Sequence, residues 1–324
     1  MTATQTVKPD SVLHELSELW GKMLKPEPEP GHGNGVDALR ACAMTLIVFV
    51  DDEDDAAALD ETLKGVMHVH PSRAIVVRLR EDSGTLSSRV LVQCWVPVGH
   101  HRKICCEQVE LSVSMDRLAD LPTIIDPLTA PDMPRIIWFR SARIEGAPDV
   151  ADLLKLADKV IVDSTRHGSP AFADMRVLAG AGYIVADLAW TRLTRIRELL
   201  AQLLADHDLA RIRHATILYC GSDPGPGAKY IQAWLRSELT GASIDLHRES
   251  SGGHGEIKSI QIEPDLNVRV SSACAEYEAG ALHQRANLTS CAEHELLSEE
   301  LSIMSHDPAF ERALQRMTIW TPRS

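Results

Sequence analysis

Ala43-Met-Thr-Leu-Ile-Val-Phe-Val50 is apolar at every position but Thr45. A strand with one wet face alternates apolar and polar residues, and this run does not. Its length and β-branched content predict a strand covered on both faces, as inside an α/β sheet. Asp51-Asp-Glu-Asp-Asp55 follows as an acid run leading into a helix over about Ala56 to Val69. Pro71 stops that helix, because proline disfavours helical geometry at the residue before it. Ala74 to Leu79 returns as a strand. Ser88 to Val96 and Ile104 to Val113 are longer strands, the first with Val90, Val92, Cys94 and Val96 on one face. A helix over Met115 to Leu128 and a strand over Arg135 to Phe139 complete the order β-α-β-β-β-α-β, a mixed sheet with helices against it.

From Val150 helix and strand alternate, over Val150 to Leu156, Lys159 to Asp163 and Pro170 to Ala181, which predicts a parallel βα segment. Next comes Asp187-Leu-Ala-Trp190-Thr-Arg192-Leu-Thr-Arg195-Ile-Arg197-Glu-Leu-Leu200-Ala-Gln-Leu-Leu204. Leu193, Ile196, Leu199, Leu200, Leu203 and Leu204 form one apolar stripe, so the stretch reads as a single docked amphipathic helix, capped by Asp187 or Thr191. Ala215 to Cys220 is a strand and Pro226 to Leu239 a helix with proline near its first position. Strands over Ser243 to Glu249, Glu256 to Glu263 and Leu266 to Cys274 follow, then helices around Glu293 to Met304 and Pro308 to Met317. The order from Ala215 echoes that from Ala43 and reads as a duplicated architecture.

The fold class expected is α/β, mixed α+β, in two domains, each a mixed sheet covered by helices, with the parallel βα segment between. A chain of 324 residues exceeds the usual size of one hydrophobic core. Residues 1–35 are expected to form an N-terminal helix and linker, 36–145 an N-terminal α/β domain and 146–324 a C-terminal α/β domain. The helix is Ser11 to Leu24, with Leu13, Leu16, Leu19, Trp20 and Met23 on one side, able to dock on its own chain or on a partner. Pro26 to Gly35 is too polar and too rich in breakers to fold regularly.

Formal charge is −13, which argues against broad nucleic-acid binding, since that needs a concentrated basic field. No run is long and apolar enough for a membrane span, and neither a signal peptide nor a secreted cysteine framework is visible among the seven cysteines. A cytoplasmic protein is expected.

Arg192, Arg195 and Arg197 fall in the first turns of the Asp187 helix, where the positive end of the helix dipole disfavours cations. Beside Trp190 in an acidic chain, they read either as a surface meeting an anion, phosphate or carboxylate-rich partner, or as a solvated face with internal salt bridges. Trp190 itself is either an interface anchor or a core residue. Glu107 shares a face with Cys105, Val109, Leu111 and Val113, so strand alternation points a carboxylate at the apolar side. Left unpaired there it would cost several kcal/mol. Arg73, in His70-Pro-Ser-Arg73 where a helix hands over to a strand, is its candidate partner or a ligand-facing group. Asp163-Ser164 ends a strand, where parallel sheets commonly place binding groups. No G-x-S-x-G elbow surrounds Ser164, so a serine nucleophile is not expected.

The histidines His68, His70, His100 and His101 lack metal-ligand spacing, and no metal is expected. Cys105 and Cys106 point to opposite faces of a strand and cannot pair regularly, so most cysteines are expected to be small buried thiols. Gly221-Ser-Asp-Pro-Gly225-Pro-Gly227-Ala-Lys229 resembles a phosphate cradle, but no lysine directly follows the last glycine and no Ser or Thr comes after, so it reads as a turn.

Several segments together resemble a known family. His70-Pro-Ser-Arg-Ala-Ile-Val77, Cys106-Glu-Gln108, Pro127-Leu to Pro131-Asp132-x-Pro134 with Trp138 after it, Asp158-Lys-Val-Ile-Val-Asp-Ser164 and Asp187-Leu-Ala-Trp-Thr-Arg-Leu193 are similar, in order and spacing, to the OpcA family of glucose-6-phosphate dehydrogenase assembly proteins. The likeness covers about Arg40 to Leu239. It implies a protein with no catalytic step and no cofactor of its own, which promotes assembly and activation of that dehydrogenase in the oxidative pentose phosphate pathway. Arg73, Glu107, Asp163, Ser164, Trp190, Arg192 and Arg195 are the candidate partner or ligand surface. The residues alone leave a second class open, a sensor holding a sugar phosphate or nucleotide near Arg73, Asp163 and Ser164.

Overall fold

A computed structural model describes residues 7–23, 38–96, 102–141, 150–168, 170–205, 207–250, 252–271, 274–279, 282–288 and 292–317. The chain divides into two compact units, Met1–Ile161 and Val162–Ser324.

In the first unit the elements run α1 (Pro9–Met23), β1 (Ala38–Arg40), β2 (Met44–Asp51), α2 (Ala56–Val69), β3 (Ser72–Arg80), β4 (Leu86–Trp95), β5 (Lys103–Ser114), α3 (Leu121–Leu128), β6 (Arg135–Phe139), α4 (Val150–Leu154) and β7 (Lys159–Val162). The apolar run around Leu46 is the centre of the sheet: Leu46, Ile47, Val48, Phe49 and Val50 are fully buried in β2. β2 pairs in parallel with β3 on one side and β6 on the other, giving the order β5-β3-β2-β6-β7. β4 is the exception, antiparallel along the outer side of β5. This is the mixed sheet expected, because β2 to β3 is joined through a helix, whereas β4 and β5 follow without one. The stretch Met115 to Leu128 is not one helix. Met115–Asp120 forms a 3-10 turn before α3, with Pro122 in the opening turn of α3, where a missing N–H is harmless. α1 docks within this unit against β4 and α3, burying Val12, Leu16 and Trp20.

The second unit contains α5 (Ser164–His167), α6 (Pro170–Gly180), β8 (Ile184–Asp187), α7 (Leu188–Thr191), α8 (Thr194–Ala205), β9 (His214–Cys220), α9 (Pro226–Glu238), β10 (Ser243–Ser250), β11 (Ile257–Ile262), β12 (Leu266–Val270), β13 (Cys274–Ala279), β14 (Leu282–Asn287), α10 (Glu293–Leu301) and α11 (Pro308–Arg316). Its sheet has the order β10-β9-β11-β12-β13-β14, with only β9 and β10 parallel.

Three expectations fail here. The Asp187 to Leu204 stretch begins inside strand β8 and then breaks into α7 and α8, the break falling at Arg192–Leu193, where Leu193 N–H bonds back to Trp190 O at 3.0 Å. The strand over Leu266 to Cys274 ends at Val270, and Cys274 opens the hairpin β13–β14, whose polar and small residues give little alternation to read. The echo between the halves is not a duplication: β11 returns to pair with β9, whereas β4 pairs with β5 at the far side of β3.

Candidate functional site

In the first unit the chain leaves β2 towards β3 in one direction and reaches β6 in the other. The C-terminal ends of β2 and β6 are therefore the topological switch point, where open parallel sheets place their ligands. The acid run lies there. Asp55 caps α2, its Oδ1 accepting from Ala57 N at 2.9 Å and Ala58 N at 3.3 Å. Arg140, just beyond β6, meets Asp54 Oδ1 at 2.8 Å, and Ser141 Oγ donates to Asp51 Oδ1 at 2.6 Å. From the end of β3, Arg80 meets Asp52 at 2.6 Å and Arg78 donates to the carbonyls of Asp51 and Asp54 at 3.1 and 3.3 Å.

Arg73 and Glu107 are brought together in the same unit. Neighbouring strands β3 and β5 carry them, and Arg73 Nε meets Glu107 Oε2 at 2.7 Å with both residues buried. Arg73 Nη1 goes on to the Leu128 carbonyl at the end of α3, 2.7 Å away. The other carboxylate oxygen accepts from Trp20 Nε1 of α1 at 2.5 Å and meets Arg40 Nη2 at 2.7 Å. The pair joins the N-terminal helix, the sheet and α3, so Arg73 is engaged within its own chain. One face neighbour of Glu107 is covalently tied: Cys94 and Cys105, directly opposite on β4 and β5, form a disulfide. Cys42, Cys106, Cys220 and Cys274 are free, so most of the described cysteines are thiols as expected; the Cys94–Cys105 pairing is not legible in sequence because strand register alone places Cys94 across from Cys105. Cys106, on the other face, is a buried thiol, and burial pushes it up to about 11.

Asp163, Ser164, Trp190 and Arg192 converge in the second unit. Asp163 is 1% exposed and caps α5. Arg192 grips it with both nitrogens, Nη1 to Oδ1 and Nη2 to Oδ2, each at 2.8 Å. Burial alone would raise this carboxyl; the Arg192 guanidinium and the Thr165 donors outweigh burial and hold it below the usual carboxylate range. Arg192 is thus turned to an internal acid. Beside it Asp187, fully buried, accepts from Ser164 N and Ala189 N at 2.9 Å and from the Tyr230 hydroxyl at 2.6 Å. Burial raises the Asp187 carboxyl despite these donors, and burial next to Asp187 pushes the Tyr230 phenol well above its ordinary value.

Trp190 is 2% exposed, packed against Tyr230 and Phe310, with its indole N–H on Asp307 at 3.0 Å. Arg197 covers the indole face at 3.7 Å. The indole is core. Arg195 stands apart, exposed and paired with Glu198 on its own helix at 2.9 Å. Tyr230, Asp307 and Glu300, which accepts from Thr191 Oγ1 at 2.7 Å, are additions that the sequence does not announce. Asp307-Pro308 is a readable helix start, but nothing in sequence aims it at Trp190.

The Gly221 to Lys229 stretch is the turn expected. A Cβ on Gly221 would lie 2.7 Å from Gly255 N, and Gly225 N–H bonds Gly255 O at 3.0 Å. The glycines allow two backbones to cross. Among the described residues, no group of three or more His, Cys, Asp or Glu is placed to hold a metal ion, and no helix is long and apolar enough to cross a membrane.

Two family profiles match the chain, both described as parts of the glucose-6-phosphate dehydrogenase subunit: its N-terminal domain over residues 64–178 and its C-terminal domain over residues 183–314. The chain belongs to the OpcA family. Curated relatives named OpcA, of the OxPP cycle, include those of Nostoc punctiforme, 28% identical over 52% of this chain and 38% of the relative, and Synechocystis, 28% identical over 56% and 39%. The chain therefore spans well under half the length of these family members. Among solved structures, a levoglucosan dehydrogenase in complex with NADH and levoglucosan superposes with a TM-score of 0.52 at 11% identity, covering 85% of this chain and 95% of that one. The 3-ketoreductase KijD10 of Actinomadura kijaniata gives 0.49 at 9%, covering 85% and 95%. The first likeness is one of fold, and it matches the parallel sheet described above.

Proposed function

We propose that the chain is a non-catalytic assembly factor and allosteric activator of glucose-6-phosphate dehydrogenase, acting in the cytoplasm by favouring that enzyme's active oligomer. The observation that carries this reading is the match of two successive domains, both belonging by description to a glucose-6-phosphate dehydrogenase subunit. An activator of this kind works by binding one state of its partner more tightly than the other. In the candidate site Asp163 is held by Arg192, Asp187 by Tyr230 and Glu107 by Arg73, so these carboxyls are partnered within their own chain.

The test adds the purified chain to its cognate dehydrogenase and follows sedimentation and the glucose 6-phosphate saturation curve. A shift towards the larger oligomer together with a lower half-saturation point is expected; no change in either would refute the reading. The sensor alternative has less support, because Arg73 and Asp163 are both engaged by their own chain. Thermal-shift screening with sugar phosphates separates it, since a ligand of the folded state raises the melting temperature.

A further inference from the structure

The parallel sheet of the first unit is of the doubly wound kind, in which a dinucleotide lies across the switch point. Such binding has three requirements. A glycine-rich turn after the central strand lets the pyrophosphate approach the backbone. Free N–H groups at the start of the next helix receive it. A group at the end of the neighbouring strand holds the ribose or its phosphate.

Each of these places is filled here by the chain itself. The turn after β2 is Asp51-Asp-Glu-Asp-Asp55, which contains no glycine. The first-turn N–H groups of α2 at Ala57 and Ala58 are taken by the Asp55 carboxylate, which stands where a phosphate oxygen would. At the end of β3, Arg80 is drawn to Asp52, and Arg78 is turned into the carbonyls of the loop. Across the crevice Arg140, 6% exposed, is held by Asp54. Five consecutive carboxylates against three guanidinium groups leave the crevice negative, which repels a polyphosphate.

We infer that this switch point is a closed internal clamp that excludes nicotinamide dinucleotides. The acid run serves as the phosphate's built-in replacement, tying β2, β3 and β6 together at the ends where a cofactor would otherwise bridge them. The inference concerns this chain alone and holds whether or not the dehydrogenase is its partner.

Two measurements on the full chain test it. Titration with NADPH, NADP+ and NADH, read by nicotinamide fluorescence and by calorimetry, is expected to show no saturable binding, and saturating cofactor is expected to leave the melting temperature unchanged. Saturable binding of any of the three with a raised melting temperature overturns the inference. Asp54→Asn, which strips Arg140 of its carboxylate, is expected to lower the melting temperature. Arg80→Gln, at a half-exposed pair, gives a smaller fall in a variant that still folds. If both variants melt with the wild type, the acid run is not a clamp and the inference fails.

Discussion

Trp190 is the residue whose role the fold decides most sharply. Its indole is enclosed by Tyr230 and Phe310, anchored on Asp307 and covered by Arg197. Trp190→Ala removes a large core side chain and leaves a cavity, so a loss of about 3–5 kcal/mol is expected in urea unfolding. A loss below ~1 kcal/mol would mean that the indole is not core. Next to it, Asp187 and Asp163 titrate in opposite senses. The Asp163 carboxyl is lowered by folding, so its contribution is present above the ordinary carboxylate range and is lost as pH falls through its folded value. The Asp187 carboxyl is raised, so its contribution is complete below the unfolded value of about 3.9 and is lost as pH rises through the folded one. Asp187→Asn removes only the second effect. Relative to the wild type, the variant should therefore gain stability as pH rises from about 4, measured by urea unfolding across the range. Parallel stability curves for the two proteins would sink this.

At the scale of the element, Glu107 holds three pieces of the first unit through one carboxylate: α1 through Trp20, β1 through Arg40 and β3 through Arg73. Glu107→Gln keeps an acceptor but leaves the Arg73 guanidinium buried without a counter-charge. Breaking a buried pair in this way costs on the order of 3 kcal/mol, and the urea midpoint should fall accordingly; an unshifted midpoint would show that Arg73 finds water or another anion. The β4–β5 ribbon carries the Cys94–Cys105 disulfide, which restrains the unfolded chain as well as the ribbon. Reduction is expected to cost about 2 kcal/mol, seen as a lower melting temperature with reductant that Cys94→Ala reproduces without it. If the variant still responds to reductant, another thiol is responsible.

For the whole molecule the question is which surface meets a partner. Arg192 is committed to Asp163, but Arg195 projects from α8 with Glu198 beside it on the same helix. Exposed pairs of that kind contribute about 0.2–1 kcal/mol, so Arg195→Ala should melt close to the wild type. If α8 contributes to the dehydrogenase interface, the same variant activates less well, and the deficit shrinks at high ionic strength as screening removes the charge from both proteins. Full activation by a normally melting variant would place the interface elsewhere.

The β2 run, the alternation of β4 and β5 and the amphipathic stripe of α8 were legible because burial on one or two faces imposes a period on the chain, and that period survives in the residue order. The same logic put Glu107 on an apolar face and named Arg73 as its partner. Weak or short periods left no such trace: β8 is too short, and β13 and β14 are too polar. Where the candidate residues sit and what they touch was decided only by the tertiary structure. Sequence lists Trp190, Arg192 and Asp163 with equal claims to a surface. Only the folded chain, by setting Asp163 under Arg192 and Asp307 at the indole N–H, makes Asp163 and Trp190 internal and commits the partly exposed Arg192 to an acid of its own chain, because a buried charge or donor must find its partner wherever the fold brings one.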